Sequence, residues 1–209
     1  MPLQKVYKIG TEQAWALWHI AETEDELSFI SQESCPEDIV NFQKRLEWLA
    51  ARALVKTLLE EFGLDYYGLR KDEFGKPFLK EHPHQISLTH SFPYVAAQID
   101  RHHPVGIDLE QPKEKLKTIA HRIFNEDEVK DAGDDIVKLC LYWSAKEALY
   151  KIHGKRNLLF THHLSILPFK LASSGKLVGQ IKLPEKETTL QLRYTVMQDF
   201  VVVYTDTQN

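Results

Sequence analysis

Hydrophobic and polar positions follow two different periods along this chain, which predicts both strands and helices. Residues 85–91 and 105–110 alternate apolar with polar side chains, as half-buried strands do. Residues 14–20 form an apolar and aromatic run that predicts another strand. Apolar positions three and four apart predict long helices over about residues 39–62 and 135–153. Four further strands are expected in the tail, at residues 163–169, 176–183, 189–197 and 200–205.

Capping signals give the expected ends of several helices. Thr23 with Glu26 three residues later predicts a capping box and a short helix. Pro36, followed by two acidic residues, suits the first turn of the next helix, and Gly63 suits the end of the long helix that begins at about residue 39. A further helix is expected to start at Asn125. A long helix followed by antiparallel strands thus occurs twice, which suggests a pseudo-repeat.

Composition and charge exclude several classes of protein. The chain has 209 residues, 43% of them hydrophobic and 27% charged, which is ordinary for a soluble protein of one large or two small domains. A net charge of −4 argues against a nucleic-acid partner. Two cysteines are too few for a disulfide framework and fit a cytoplasmic setting. No apolar run suggests a membrane span or a signal peptide.

Two carboxylates lie side by side on the strand Val105-Gly-Ile-Asp-Leu-Glu110. Val105, Ile107 and Leu109 share one face, and Asp108 and Glu110 share the other with the glycine. One interpretation is an edge strand with a wet acidic face. The other is an oxygen-ligand site for Mg²⁺ or Mn²⁺, with Gly106 leaving space for a ligand.

A carboxylate, an ammonium group and an indole are stacked on one face of the helix over about residues 135–153. Trp143, Glu147 and Lys151 are each one turn apart in Trp143-Ser-Ala-Lys-Glu-Ala-Leu-Tyr-Lys151. A surface salt bridge beside a half-buried tryptophan would explain this pattern. The alternative is a stripe of functional residues.

Basic residues recur in the first half of the chain. Arg45 and Arg52 are one heptad apart on the long helix, where they are either solvated or directed at an anion. Lys71 and Lys76 flank a turn marked by glycine and proline. His90 ends a strand rich in hydroxyl groups and is either a satisfied histidine or a ligand contact.

Five motifs in order resemble the 4′-phosphopantetheinyl transferases of the single-chain, surfactin-synthetase-activating type. They are Gly75-Lys-Pro77, Ile86-Ser-Leu-Thr-His-Ser91, Gly106-Ile-Asp-Leu-Glu110, Phe124-x-x-x-Glu128 and Trp143-Ser-Ala-Lys-Glu-Ala-Leu-Tyr-Lys151. Thr89 stands where the family has serine, which keeps a hydroxyl group beside His90.

The resemblance implies the reaction and its residues. The phosphopantetheine group of coenzyme A would move to a serine of an acyl or peptidyl carrier protein, and adenosine 3′,5′-bisphosphate would leave. The implied ligands of Mg²⁺, with Mn²⁺ as an alternative, are Asp108, Glu110 and Glu147. The implied catalytic residues are Glu147, Lys151 and Asp108. Contacts to coenzyme A are implied for Arg45, Arg52, Lys71, Lys76, Thr89, His90 and Lys151.

The resemblance also implies the architecture. We expect an α+β fold of two similar halves, residues 1–103 and 104–209, each a small antiparallel sheet packed on a long helix. The active site is expected between the halves, and the internal pseudo-dimer predicts a monomer. Three alternatives remain: a different metal-dependent enzyme acting on a nucleotide, a silent coenzyme A-binding module, and a plain structural protein.

Overall fold

A computed structural model describes residues 3–207, and the chain divides into two compact units. The first unit ends at Pro104 and the second is Val105–Thr207. The outer ends of the predicted halves, residues 1–2 and 208–209, lie outside the described residues. Within residues 3–207, no helix is long and apolar enough to cross a membrane. Each unit has its own apolar core.

An antiparallel sheet is the basis of the first unit. The strands of this unit, in chain order, are β1 (Leu3–Ile9), β2 (Gln13–His19), β3 (Leu69–Lys71), β4 (Pro77–Leu79), β5 (Gln85–Ser91) and β6 (Tyr94–Asp100). Four of them form the sheet in the order β1-β2-β6-β5, and β3 pairs with β4 in a separate hairpin. The strands expected at residues 14–20 and 85–91 are therefore confirmed, whereas β1 was not predicted.

Two helices, α1 (Glu24–Ser31) and α2 (Phe42–Glu60), complete the first unit. The capping box of Thr23 and Glu26 starts α1 as predicted. Helix α2 packs on the sheet through an apolar face that includes Leu46, Leu49 and Leu54. This arrangement places one side of α2 next to β5.

The predicted helix start at Pro36 is wrong. Helix α2 begins later, because the Asn41 side chain accepts a hydrogen bond from the Lys44 amide and caps the helix there. The Arg45 guanidinium donates to the carbonyls of Pro36 and Ile39, at 3.1 and 2.9 Å. These bonds hold residues 36–39 as a loop against the helix.

The second unit combines a five-stranded sheet with four helices. Its strands are β7 (Ile107–Glu110), β8 (Leu164–Ile166), β9 (Ser174–Leu183), β10 (Lys186–Val196) and β11 (Val201–Thr205). Its helices are α3 (Lys115–Ile123), α4 (Glu126–Ala132), α5 (Ile136–His153) and α6 (Phe160–His163). The strand order is β7-β11-β10-β9-β8, with antiparallel pairing throughout. The predicted long helix and the four tail strands are confirmed, and α5 packs across this sheet.

Gly106 does not leave space for a ligand, so that expectation is wrong. A Cβ atom at this position would lie 2.1 Å from the carbonyl oxygen of Ala148 in α5. The backbone of α5 therefore fills the space beside Gly106. This close approach brings the start of β7 directly onto the helix that carries Glu147 and Lys151.

Replacing Gly106 with alanine is expected to lower the free energy of unfolding by about 1–3 kcal/mol, since a buried backbone carbonyl must move. Urea unfolding measures this loss. Gly179→Ala is the matched control, because its new Cβ would meet the flexible side chain of Leu149, at 2.9 Å. Equal stability of the two variants would contradict the close approach of β7 and α5.

Candidate functional site

The second unit brings together an aspartate of β7 and a lysine of α5. Asp108 lies on β7 opposite Val203 of β11, and it is 4% exposed. The Lys151 ammonium group donates to Asp108 Oδ1 at 2.8 Å and to the carbonyl oxygen of Ile107 at 2.8 Å. Because both bonds reach the same strand, Lys151 fixes the last turns of α5 against β7.

Two glutamates extend this cluster, and the charges in it act on each other. Burial first, and then the charges of Asp108 and Glu110, raise the pKa of Glu147 to about 7, while Lys151 opposes the shift. Burial and then Asp108 raise the pKa of Glu110, against the hydrogen bond that Trp143 Nε1 donates to it at 3.4 Å. The predicted stripe of α5 therefore faces the predicted carboxylates of β7.

The chemistry of these donors fits a hard divalent cation. Asp108 raises the pKa of Glu110, and both carboxylates raise the pKa of Glu147, so a cation among them would be favourable, and oxygen ligands suit Mg²⁺ and Mn²⁺. In the arrangement observed, however, no three His, Cys, Asp or Glu side chains of residues 3–207 are placed to hold a metal ion. Asp108 contacts the Lys151 ammonium group instead.

The first unit contains a cavity of about 740 Å³, whose lining combines apolar residues with a basic excess: Lys44, Arg52, Arg70 and Lys71 against Asp38 and Glu47. It is bordered by the loop before α2, by one face of α2, by the β3–β4 hairpin and by the end of β5. Of the residues predicted to contact coenzyme A, this cavity collects Arg52, Lys71, Thr89 and His90. Arg45 and Lys76 are not among its lining residues.

The two arginines of α2 have different surroundings. Arg45 donates to the Glu24 carboxylate through both Nε and Nη2, and its Nη1 donates to two carbonyls of the loop before the helix. Arg52 pairs with Glu33 at 3.1 Å, and its guanidinium group stacks on the Trp48 ring at the cavity wall. Arg52 therefore borders the cavity, whereas Arg45 holds the loop that forms part of its wall.

The structure adds residues that the sequence analysis did not single out. Lys44, Glu47 and Arg70 line the same cavity, and Glu47 contacts both Lys44 and His90. Lys44 and Glu47 are three apart on a helix, so their ion pair could have been expected. The contact between Glu47 and His90 joins α2 to β5 and has no signal in sequence spacing.

A buried ion pair lies directly beside the acidic cluster of the second unit. Lys146, the residue before Glu147, is 0% exposed and lies 2.6 Å from Glu128 Oε2, and Glu128 is 1% exposed. Glu128 also closes a capping box with Asn125 at the start of α4. Glu128 and Lys146 each lie in one of the five motifs, but the sequence did not predict that they pair.

Comparison with known proteins identifies the family of this chain. The sequence model of the 4′-phosphopantetheinyl transferase superfamily matches residues 104–204. The 4′-phosphopantetheinyl transferase psf-1 of Bacillus pumilus is 30% identical over 169 residues, covering 71% of this chain and 70% of the relative. The 4′-phosphopantetheinyl transferase Sfp of Bacillus subtilis (strain 168) is 28% identical over 184 residues, covering 82% and 79%.

A third relative, the 4′-phosphopantetheinyl transferase gsp of Aneurinibacillus migulanus, is 35% identical over 91 residues, 41% of this chain and 38% of the relative. The chain belongs to the 4′-phosphopantetheinyl transferase superfamily and to its surfactin-synthetase-activating type. The prediction of an enzyme of this class is confirmed.

Proposed function

We propose that this chain transfers the 4′-phosphopantetheine group of coenzyme A to a serine of an acyl or peptidyl carrier protein and releases adenosine 3′,5′-bisphosphate. One observation carries the proposal within this family. Glu147, with a pKa near neutrality, shares a cluster with Asp108, Glu110 and Lys151. A half-buried carboxylate with such a pKa is suited to take a proton at neutral pH.

The proposed reaction assigns a role to each member of the cluster. Asp108, Glu110 and Glu147 would hold Mg²⁺ or Mn²⁺, which when bound neutralises charge on the pyrophosphate. The serine oxygen bonds to the phosphorus that carries pantetheine, and the bond from that phosphorus to the bridging oxygen of the pyrophosphate breaks. Glu147 takes the serine proton. Lys151, next to Asp108, contacts the transferred phosphate.

We propose that the cavity of the first unit binds the phosphates of coenzyme A. Arg52, Lys71 and His90 line it, and guanidinium and ammonium groups suit phosphate oxygens. Thr89 contributes a hydroxyl group to the same lining. Arg45 supports the cavity indirectly, because it holds the loop at residues 36–39.

We also propose that the two units are related halves of one transferase that acts as a monomer. Each unit combines an antiparallel sheet with one long helix packed on it, α2 in the first and α5 in the second. Superposition of separately determined structures of the two units would test this relation.

Intact-mass spectrometry of an apo carrier protein tests the proposed reaction. With the chain, coenzyme A and Mg²⁺ present, the carrier should gain the mass of one phosphopantetheine group, and EDTA should prevent the gain. Replacing the acceptor serine of the carrier with alanine is the control and should also prevent it. Binding of coenzyme A without transfer to any of several carriers would instead support a silent coenzyme A-binding module.

A further inference from the structure

A buried carboxylate lies in the wall of the basic cavity of the first unit. Glu47 of α2 is 4% exposed and lines the cavity together with Arg52, Arg70 and Lys71. Removing a carboxylate from water costs several kcal/mol unless it is well paired. An apolar side chain would pack more favourably at this position, so the charge of Glu47 requires another explanation.

Glu47 contacts two basic groups at the cavity. Its Oε2 atom accepts a hydrogen bond from the Lys44 ammonium group at 2.6 Å and lies 3.3 Å from His90 Nδ1. Burial alone would raise the pKa of Glu47, but hydrogen bonds from His90 and Lys44 hold it below its ordinary value. Glu47 is therefore charged at neutral pH and links α2 to the end of β5.

The contacts with Glu47 restrict two side chains that are themselves accessible. The Lys44 side chain is 56% exposed and the His90 side chain 47%, so either can meet a ligand in the cavity. A lysine has a flexible stem that must be ordered when it binds an anion. A histidine held through Nδ1 directs Nε2 away from that partner. Glu47 thus orders both groups before a ligand arrives.

We propose that Glu47 is a positioning residue for coenzyme A, which holds Lys44 and His90 ready for one of its phosphates. The inference rests on the proposed function, because it takes coenzyme A as the ligand of this cavity. The cavity still favours a phosphate, since Lys44, Arg52, Arg70 and Lys71 line it and outnumber the two acidic lining residues, Glu47 and Asp38.

Titration calorimetry of coenzyme A with the Glu47→Gln variant tests the proposal, with EDTA present and without carrier protein. The substitution keeps the size of the side chain but removes its charge. We expect the affinity for coenzyme A to fall about tenfold, because Lys44 and His90 must then be ordered when the ligand binds. In transfer assays the loss should appear in KM for coenzyme A rather than in kcat. Glu61→Gln is the matched control, because Glu61 pairs with Lys8 at 3.0 Å and does not line the cavity.

A double-mutant cycle shows whether Glu47 acts through Lys44. In a Lys44→Met background, Glu47→Gln should weaken binding less than it does in the wild type, because one of its two partners is already absent. A purely structural role of Glu47 would give the same loss in both backgrounds, which would overturn the proposal.

Failure of the proposed function and failure of the inference about Glu47 would give different binding results. A wild-type chain that does not bind coenzyme A would overturn the proposed function together with this inference. Equal affinity of the wild-type chain and the Glu47→Gln variant for coenzyme A would overturn the inference alone. If Glu47→Gln does not fold, Lys44→Met and His90→Gln take its place, and wild-type affinity in both would overturn the proposal.

Discussion

Replacing Asp108 with asparagine is expected to reduce phosphopantetheine transfer about a thousandfold or more while leaving the chain folded. Asparagine keeps the size of the side chain but removes the charge that a divalent cation would need, an effect worth several kcal/mol. It also removes the ion pair with Lys151, whose ammonium group lies 2.8 Å from Asp108 Oδ1. Single-turnover transfer to a carrier protein at saturating coenzyme A and Mg²⁺ measures the loss.

Asp131→Asn is the matched control for this substitution. Asp131 is also an aspartate of the second unit that pairs with a lysine of α5, Lys138, at 2.9 Å, but it lies outside the acidic cluster. The control should lower the unfolding midpoint and keep the transfer rate. Wild-type turnover of Asp108→Asn across a range of Mg²⁺ concentrations would show that the metal assignment is wrong.

Local sequence signals predicted those elements whose ends are set by neighbouring residues. The capping boxes that start α1 and α4 each use a side chain and a backbone amide three residues apart, so spacing alone reveals them. The helix start predicted at Pro36 is wrong, because proline permits a first helical turn but does not require it. Asn41 caps α2 instead, and Arg45 holds the preceding loop by donating to two of its carbonyls.

The periodicity of the sequence predicted the acidic cluster, but it did not predict the packing contacts that hold this cluster in place. The period of a strand pairs Asp108 with Glu110, and the period of a helix pairs Glu147 with Lys151. Neither period shows that Gly106 is needed because the backbone of α5 lies against it. Such contacts depend on the packing of elements that are distant in sequence, which no local pattern contains.

The two arginines of α2 show the same limit within a single helix. Their spacing places Arg45 and Arg52 on one face, which left two interpretations open, two solvated arginines or a pair directed at an anion. The structure separates them, because Glu24 engages Arg45, whereas Arg52 stacks on Trp48 beside the cavity. Tertiary partners, and not helical position, decide which of the two can meet a ligand.

The Lys146→Met variant is expected to lose about 3–5 kcal/mol of unfolding free energy, because it leaves the carboxylate of Glu128 buried without its cation. Lys146 is 0% exposed, and its ammonium group also donates to the carbonyls of Ile123 and Phe160, at 3.0 and 2.9 Å. Glu128 in turn accepts from the Ile166 amide at 2.8 Å. One ammonium group thus joins α5 to the end of α3, to α6 and, through Glu128, to β8.

Urea unfolding at pH 7 measures this loss, and a second substitution separates charge from packing. The double variant Lys146→Met with Glu128→Gln removes both charges and keeps an acceptor for the Asn125 amide, so it should recover more than half of the lost stability. Lys138→Met, on the same helix but with its lysine 12% exposed, should lose less than Lys146→Met. A double variant no more stable than Lys146→Met would show that the carbonyl contacts of Lys146, and not its pairing with Glu128, hold α5 in place.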